Sequence, residues 1–155
     1  MKALFKISIL ISAVILFASF IYKNDTNTLE VDAVKKLVSE SYINGAFNEL
    51  NTEAMVNGFH KDFSIYTAKG SEISKYPIDK WVEGVKKRKS NNYNPDDPKN
   101  VWDHNFAIVD VTGSSAQVKV ELSNQGKLVY TDYLSLLKFD SGWKIVAKVY
   151  HKHQD

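Results

Sequence analysis

His60 and Asp62 stand two residues apart in the stretch Phe59-His60-Lys61-Asp62-Phe63. In extended backbone that spacing puts both side chains on one face. A carboxylate beside an imidazole orients the ring and raises its pKa, the pairing a general acid or base needs. Tyr66 adds a phenol to serve as a polarising donor. The plainer alternative keeps His60 as a helix cap or a surface residue, because single histidines are commonly structural.

Three other groupings have chemical content. Trp102, His104 and Phe106 alternate with Asp103 and Asn105 on one strand. Val109 and Val111 share the parity of Asp103, so a regular ladder turns Asp103 and Asn105 inward, towards any pocket. Trp102, His104, Phe106 and Ile108 then face outward, and a bulge between the two stretches inverts the assignment. Tyr42, Tyr66, Trp81 and Tyr133 offer stacking surface and polar tips to a flat, partly polar ligand. The same aromatics have the spacing of ordinary core residues. His151 and His153 share a parity but lack a third ligand nearby, so no metal site is expected. With no Gly-rich phosphate loop, Ser–His–Asp signature or coenzyme fingerprint, no cofactor is expected either.

The elements that must position these residues begin with a helix. Asn27 and Glu30 have capping-box spacing, and Val31, Val34, Leu37, Val38, Tyr42, Ala46 and Phe47 then recur at helical spacing. Gly45 within that pattern permits close packing or the approach of a ligand. Asn51 caps a short second helix, with Leu50 and Met55 as a hydrophobic staple, and Gly58 stops it. Residues 63–67 and 73–76 read as strands around Lys69-Gly70. Pro77 suits the first turn of a third helix whose buried stripe is Ile78, Trp81, Val82 and Val85. That helix ends in Lys86-Lys87-Arg88-Lys89, a run that either grips an anion or lies solvated at the helix's negative end. The polar run over residues 90–100 is a loop that could arch over a pocket.

The remainder reads as sheet. Strands are expected over residues 101–111 and 116–122, then as two long arms over residues 130–150 joined at Asp140-Ser141-Gly142. On the last arm Trp143, Ile145, Ala147, Val149 and His151 share one face, and Lys144, Lys148 and Lys152 share the other, wet one. Three helices followed by a four-strand meander make an α+β domain, with helices on one face of a curved antiparallel sheet.

At 155 residues and 44% hydrophobic content the chain supports one domain with a real core. It has no cysteine, which excludes disulfides, thiolate catalysis and Cys-ligated zinc. The net charge of +2 comes from Lys2 and Lys6, since the remaining 18 basic residues match 18 acidic ones. A neutral body argues against a nucleic-acid partner. Residues 1–6 form a short basic region and residues 7–21 an apolar run, the pattern of an export signal. Ala18 and Ser19 are small, yet Leu16 and Phe17 make the cleavage site poor. Residues 1–22 therefore act as a signal peptide or as an uncleaved membrane anchor, leading to a periplasmic, secreted or membrane-tethered domain. Residues 23–30 form a polar tether and residues 31–153 the domain.

Two segments carry a resemblance: YINGAFNELNTEAMVNGFHKDFSIY, from Tyr42 to Tyr66, and DYLSLLKFDSGWKIVAKVY, from Asp132 to Tyr150. KWVEGV lies where a third helix is expected. Over about residues 31–151 the chain resembles the putative lumazine-binding family of small bacterial proteins. That family belongs to the nuclear transport factor 2-like (SnoaL-like) superfamily. The resemblance implies a cone-shaped fold enclosing a pocket between a bent sheet and its helices. It also implies a small-molecule ligand, whereas enzymes of the superfamily often place His and Asp in their cavities. An exported small-ligand-binding domain without catalysis is therefore expected first. The alternative is a cofactor-free lyase, isomerase or hydrolase using His60 and Asp62. An apolar outer sheet face built from Trp102, Phe106 and Ile108 leads to the expectation of a homodimer.

Overall fold

The structure, a computed structural model, describes residues 27–154. The export segment (residues 1–22) and the first part of the tether lie outside the described residues.

Residues 27–48 form one helix, α1, which is α-helical over residues 27–37 and π-helical over Val38–Asn48. Its apolar positions pack as the spacing predicts, with Val34, Val38, Tyr42, Ile43 and Ala46 buried. The wider π-helical turn additionally buries Ser41 and Gly45. π-Helical geometry is rare, and π-helical turns within α-helices are frequent at functional sites. The capping box is not the use made of Glu30. Its carboxylate accepts from Lys138 Nζ and from Trp143 Nε1 at 2.7 Å, tying α1 to the sheet.

Helix α2, Thr52–Gly58, begins as expected, with Asn51 Oδ1 accepting from the Ala54 amide at 3.1 Å. Two glycines let it close on α1. A Cβ at Gly45 would stand 2.9 Å from Met55 Cγ, and one at Gly58 only 2.0 Å from Ser41 Oγ. Gly58 therefore serves approach, and the helix stops because Phe59 turns extended.

Six strands follow: β1 (Phe59–Lys69), β2 (Glu72–Pro77), β3 (Trp102–Thr112), β4 (Ser115–Asn124), β5 (Lys127–Phe139) and β6 (Gly142–Lys152). Helix α3, Ile78–Ser90, lies between β2 and β3 and buries Ile78, Val82 and Val85. The sheet order is β2-β1-β6-β5-β4-β3. The meander is antiparallel throughout, but β1 pairs parallel to β6, so the sheet is mixed. Strand β1 is longer than expected because His60, Lys61 and Asp62 belong to it.

Extra residues bend the sheet. The ladder partners skip Ala107 in β3, Val129 in β5 and Val146 in β6. Each such bulge reverses which face the following side chains occupy. Ala107 thereby puts Trp102 and Phe106 on the same side as Val109 and Val111, packed against the core. Asp103 and Asn105 face outward, where Asn105 donates to Glu121. This corrects the expectation of a regular ladder. It also dismantles the apolar patch from which a homodimer was expected, because only Ile108 of its three apolar residues remains outside, at 54% exposed.

The basic end of α3 is not simply solvated. Arg88 donates to the Ala46 carbonyl and Lys89 Nζ to the Leu50 carbonyl at 3.1 Å. Arg88 thus caps a carbonyl in the last turn of α1, and Lys89 one in the link to the next helix. The loop after α3 acts at the same place, with the Tyr93 hydroxyl 2.8 Å from the carbonyl oxygens of both Phe47 and Asn48.

Candidate functional site

Lys148 is where the bulges matter most for chemistry. Simple alternation places it on the wet face with Lys144 and Lys152, but Val146 is an extra residue in β6, so Trp143, Ile145 and Lys148 all turn inward. Lys148 is 5% exposed. On neighbouring β5, Asp132 has the parity of Leu134 and Leu136 and is fully buried with them. The π-helical part of α1 lowers the Tyr42 hydroxyl onto this pair.

The three groups form a closed triangle. Lys148 Nζ donates to the Tyr42 hydroxyl at 2.7 Å, Tyr42 donates to Asp132 Oδ2 at 2.5 Å, and Lys148 Nζ lies 3.0 Å from Asp132 Oδ1. That last contact is an ion pair at an angle poor for hydrogen bonding, so Oδ1 keeps unused acceptor capacity. Burial pushes the Tyr42 phenol well above the ordinary tyrosine range, and the Asp132 charge adds to the effect. Burial also lowers the Lys148 ammonium below the ordinary lysine value, against the opposing pull of Asp132.

Lys148 lines a cavity of about 330 Å³. Its walls are aromatic: Trp81 from α3, Tyr76 from β2, Tyr130 from β5 and Tyr150 from β6, with Phe47 at the end of α1. Ile65 and Thr67 of β1 complete it. The ammonium is 4.8 Å from the ring centroid of Tyr42, 5.0 Å from that of Tyr150 and 5.5 Å from that of Trp81. Such distances allow cation–π attraction in a desolvated site. An ammonium has three protons; the Tyr42 hydroxyl accepts one of them, while Asp132 Oδ1 is a charge partner at 3.0 Å without a hydrogen bond. Donor capacity is left over for an acceptor in the cavity. A further depression of about 290 Å³, between Asp110, Gln117, Ser135 and Val146 on the sheet, has no buried ionisable group in its lining.

Of the residues the sequence singles out, Tyr42 and Trp81 meet at this site, their rings 5.9 Å apart. Tyr66 is on the other face of β1 from Ile65 and Thr67, with Lys75 Nζ 5.8 Å from its ring. Tyr133 is 46% exposed on the outer face of β5. Asp103 and Asn105 are outside as well. His60 and Asp62 do approach each other, Nδ1 to Oδ2 at 3.6 Å, but away from the cavity. The Asp62 side chain is 70% exposed and shared with Lys61, while the His60 ring stacks on Phe139 at 5.0 Å. Neither residue is among those lining the cavity that holds Lys148. His153 bonds Thr131 at 2.9 Å, with the His151 ring 4.8 Å away.

Sequence reasoning missed Asp132 and Lys148. For Asp132 the signal is visible: an acid alternating with Leu134 and Leu136 sits at an inward position of an apolar face. For Lys148 no such signal exists, because its burial depends on Val146 being skipped by the ladder.

Comparison with known proteins adds the family. Residues 29–151 match the family described as "Putative lumazine-binding". A nuclear transport factor 2-like protein of unknown function from Shewanella baltica OS155 superposes with a TM-score of 0.63. It is 21% identical and covers 83% of this chain and 97% of its own. Another, from Methylobacillus flagellatus KT, is 27% identical with a TM-score of 0.59, covering 80% and 92%. A segment of 47 residues is 36% identical to the aldolase FrzH of Cladobotryum sp, 30% of this chain and 38% of that protein's length.

Proposed function

We propose that this chain, which belongs to the putative lumazine-binding family, receives in its cavity a flat ligand of one or two rings bearing an oxygen acceptor. The observation that carries this reading is the Lys148 ammonium, buried in the lining of the cavity with donor capacity beyond its bond to Tyr42 and aromatic rings around it. A cavity of about 330 Å³ is at the small end of ligand sites. Flat rings can stack against Trp81 and Tyr150 while an oxo group accepts from Lys148. A pteridinedione such as lumazine has that shape and those acceptors. Export through residues 1–22 is part of the proposal, and fractionation of the host separates a released domain from an anchored one.

A second reading is enzymatic. The segment shared with the aldolase is 36% identical, and a buried lysine lining a cavity is a group that carbonyl chemistry uses.

The test is native mass spectrometry of protein from its own host, together with a tryptophan-fluorescence titration against lumazine. A co-purifying small molecule, or saturable quenching weakened by Trp81→Phe, supports the reading. No bound molecule together with no quenching would overturn it.

A further inference from the structure

Resting on the cavity reading, the geometry points to covalent capture: we propose that Lys148 is a nucleophile that joins a ligand's aldehyde or ketone carbon as a protonated imine. Three features of the site support this. Lys148 lines the cavity with its Nζ 5.5 Å from the Trp81 ring and 5.0 Å from the Tyr150 ring, so a carbonyl group stacked against those rings comes close to Nζ. Two hydrogen-bonding groups of different chemistry touch Nζ at 2.7 and 3.0 Å, a phenol and a carboxylate, and they also touch each other. The carboxylate oxygen nearest to Nζ, Asp132 Oδ1, has no hydrogen bond of its own and can take a proton.

The step balances without an outside reagent. Asp132 accepts one proton from the ammonium, and the neutral amine attacks the carbonyl carbon, forming the C–N bond. The Tyr42 hydroxyl, bonded to both partners, supplies a proton path to the departing oxygen. Water leaves with the carbonyl oxygen and two protons that began on nitrogen. The third proton stays on the imine, so the positive charge remains against Asp132. Burial depresses the Lys148 ammonium and so favours the neutral amine that begins the step. A wholly buried carboxylate then holds the cationic imine where bulk water is excluded.

The experiment uses the full chain and two probes of one shape, 2-naphthaldehyde and 2-naphthalenemethanol. Both are titrated by tryptophan fluorescence, and the aldehyde is then reduced in place with cyanoborohydride and mapped by peptide mass spectrometry. The expected result is quenching by both compounds and one naphthylmethyl group on Lys148, with the adduct falling about tenfold or more in Lys148→Arg, whose guanidinium is a cation but a poor nucleophile. Should that variant fail to fold, the position of the label on the native chain still decides. Quenching by both probes with the label spread over exposed lysines and absent from Lys148 overturns covalent capture and leaves the cavity reading standing. Quenching by neither overturns the cavity reading, and this one with it.

Discussion

His60 and Asp62 are two residues apart and meet at 3.6 Å on the surface, whereas Tyr42, Asp132 and Lys148 come from three elements and meet at 2.5–3.0 Å in the core. Both clusters contain groups able to move protons. Only the second is desolvated, and desolvation is what moves a pKa and strengthens a charge interaction. Water around the exposed Asp62 carboxylate screens its pull on the imidazole. The difference teaches that adjacency in sequence gives proximity, while an altered chemistry needs the fold to remove water.

The largest effect expected from this contrast is on stability. Asp132→Ala leaves the Lys148 ammonium buried without its counter-charge, a situation that typically destabilises by about 3–5 kcal/mol. Urea unfolding should show that loss, while Asp62→Ala leaves the midpoint close to the parent. Equal losses from the two substitutions would break the comparison.

A sharper version separates stability from binding. Replacing both charges, Asp132→Leu with Lys148→Met, should bring stability back to the parent's level or above it by up to about 1–4 kcal/mol, as apolar replacement of buried pairs often does. The same double variant should lose the quenching by lumazine. Retained quenching would move the ligand away from the buried centre.

A smaller effect concerns pH. The folded-state pKa of Tyr42 is raised, so the stability linked to its protonated form is complete below the unfolded tyrosine value, about pH 10. It falls as pH rises beyond that. Lys148 has the opposite sign of shift, and its lowered pKa makes stability rise with pH up to its unfolded value of about 10.4. The difference in urea midpoint between the parent and Tyr42→Phe should therefore be flat below about pH 10 and change in favour of the variant above it. A difference that is flat through pH 11 would place Tyr42 in a solvated setting. The smallest effect belongs to the surface pair: His60→Ala with Asp62→Ala should leave lumazine quenching unchanged.

Much of the architecture was legible in the residues. Val34, Val38 and Tyr42 mark the buried stripe of α1, Asn51 caps α2, and the four-strand meander follows its turn residues, because each depends on local spacing. The parallel pairing of β1 with β6 is a long-range event with no local mark. The site was only half legible. Tyr42 and Trp81 appeared as aromatics in core positions, and Asp132 carried a parity that invited burial. Lys148, Asp103 and Asn105 could not be placed, because the skipped residues Val146 and Ala107 reverse the faces of two strands. A bulge depends on how neighbouring strands match across the sheet, and alternation within one strand is blind to it.

The central claim, that the buried centre and not the surface pair meets the ligand, is tested most directly by nitrogen NMR of side chains in protein labelled with ¹⁵N-lysine and ¹⁵N-histidine. The account predicts one lysine ammonium protected from exchange, assigned to Lys148 by its absence in Lys148→Arg, which shifts as lumazine is added while the His60 ring nitrogens stay in place. A shift at His60 with an unmoved Lys148 would contradict it.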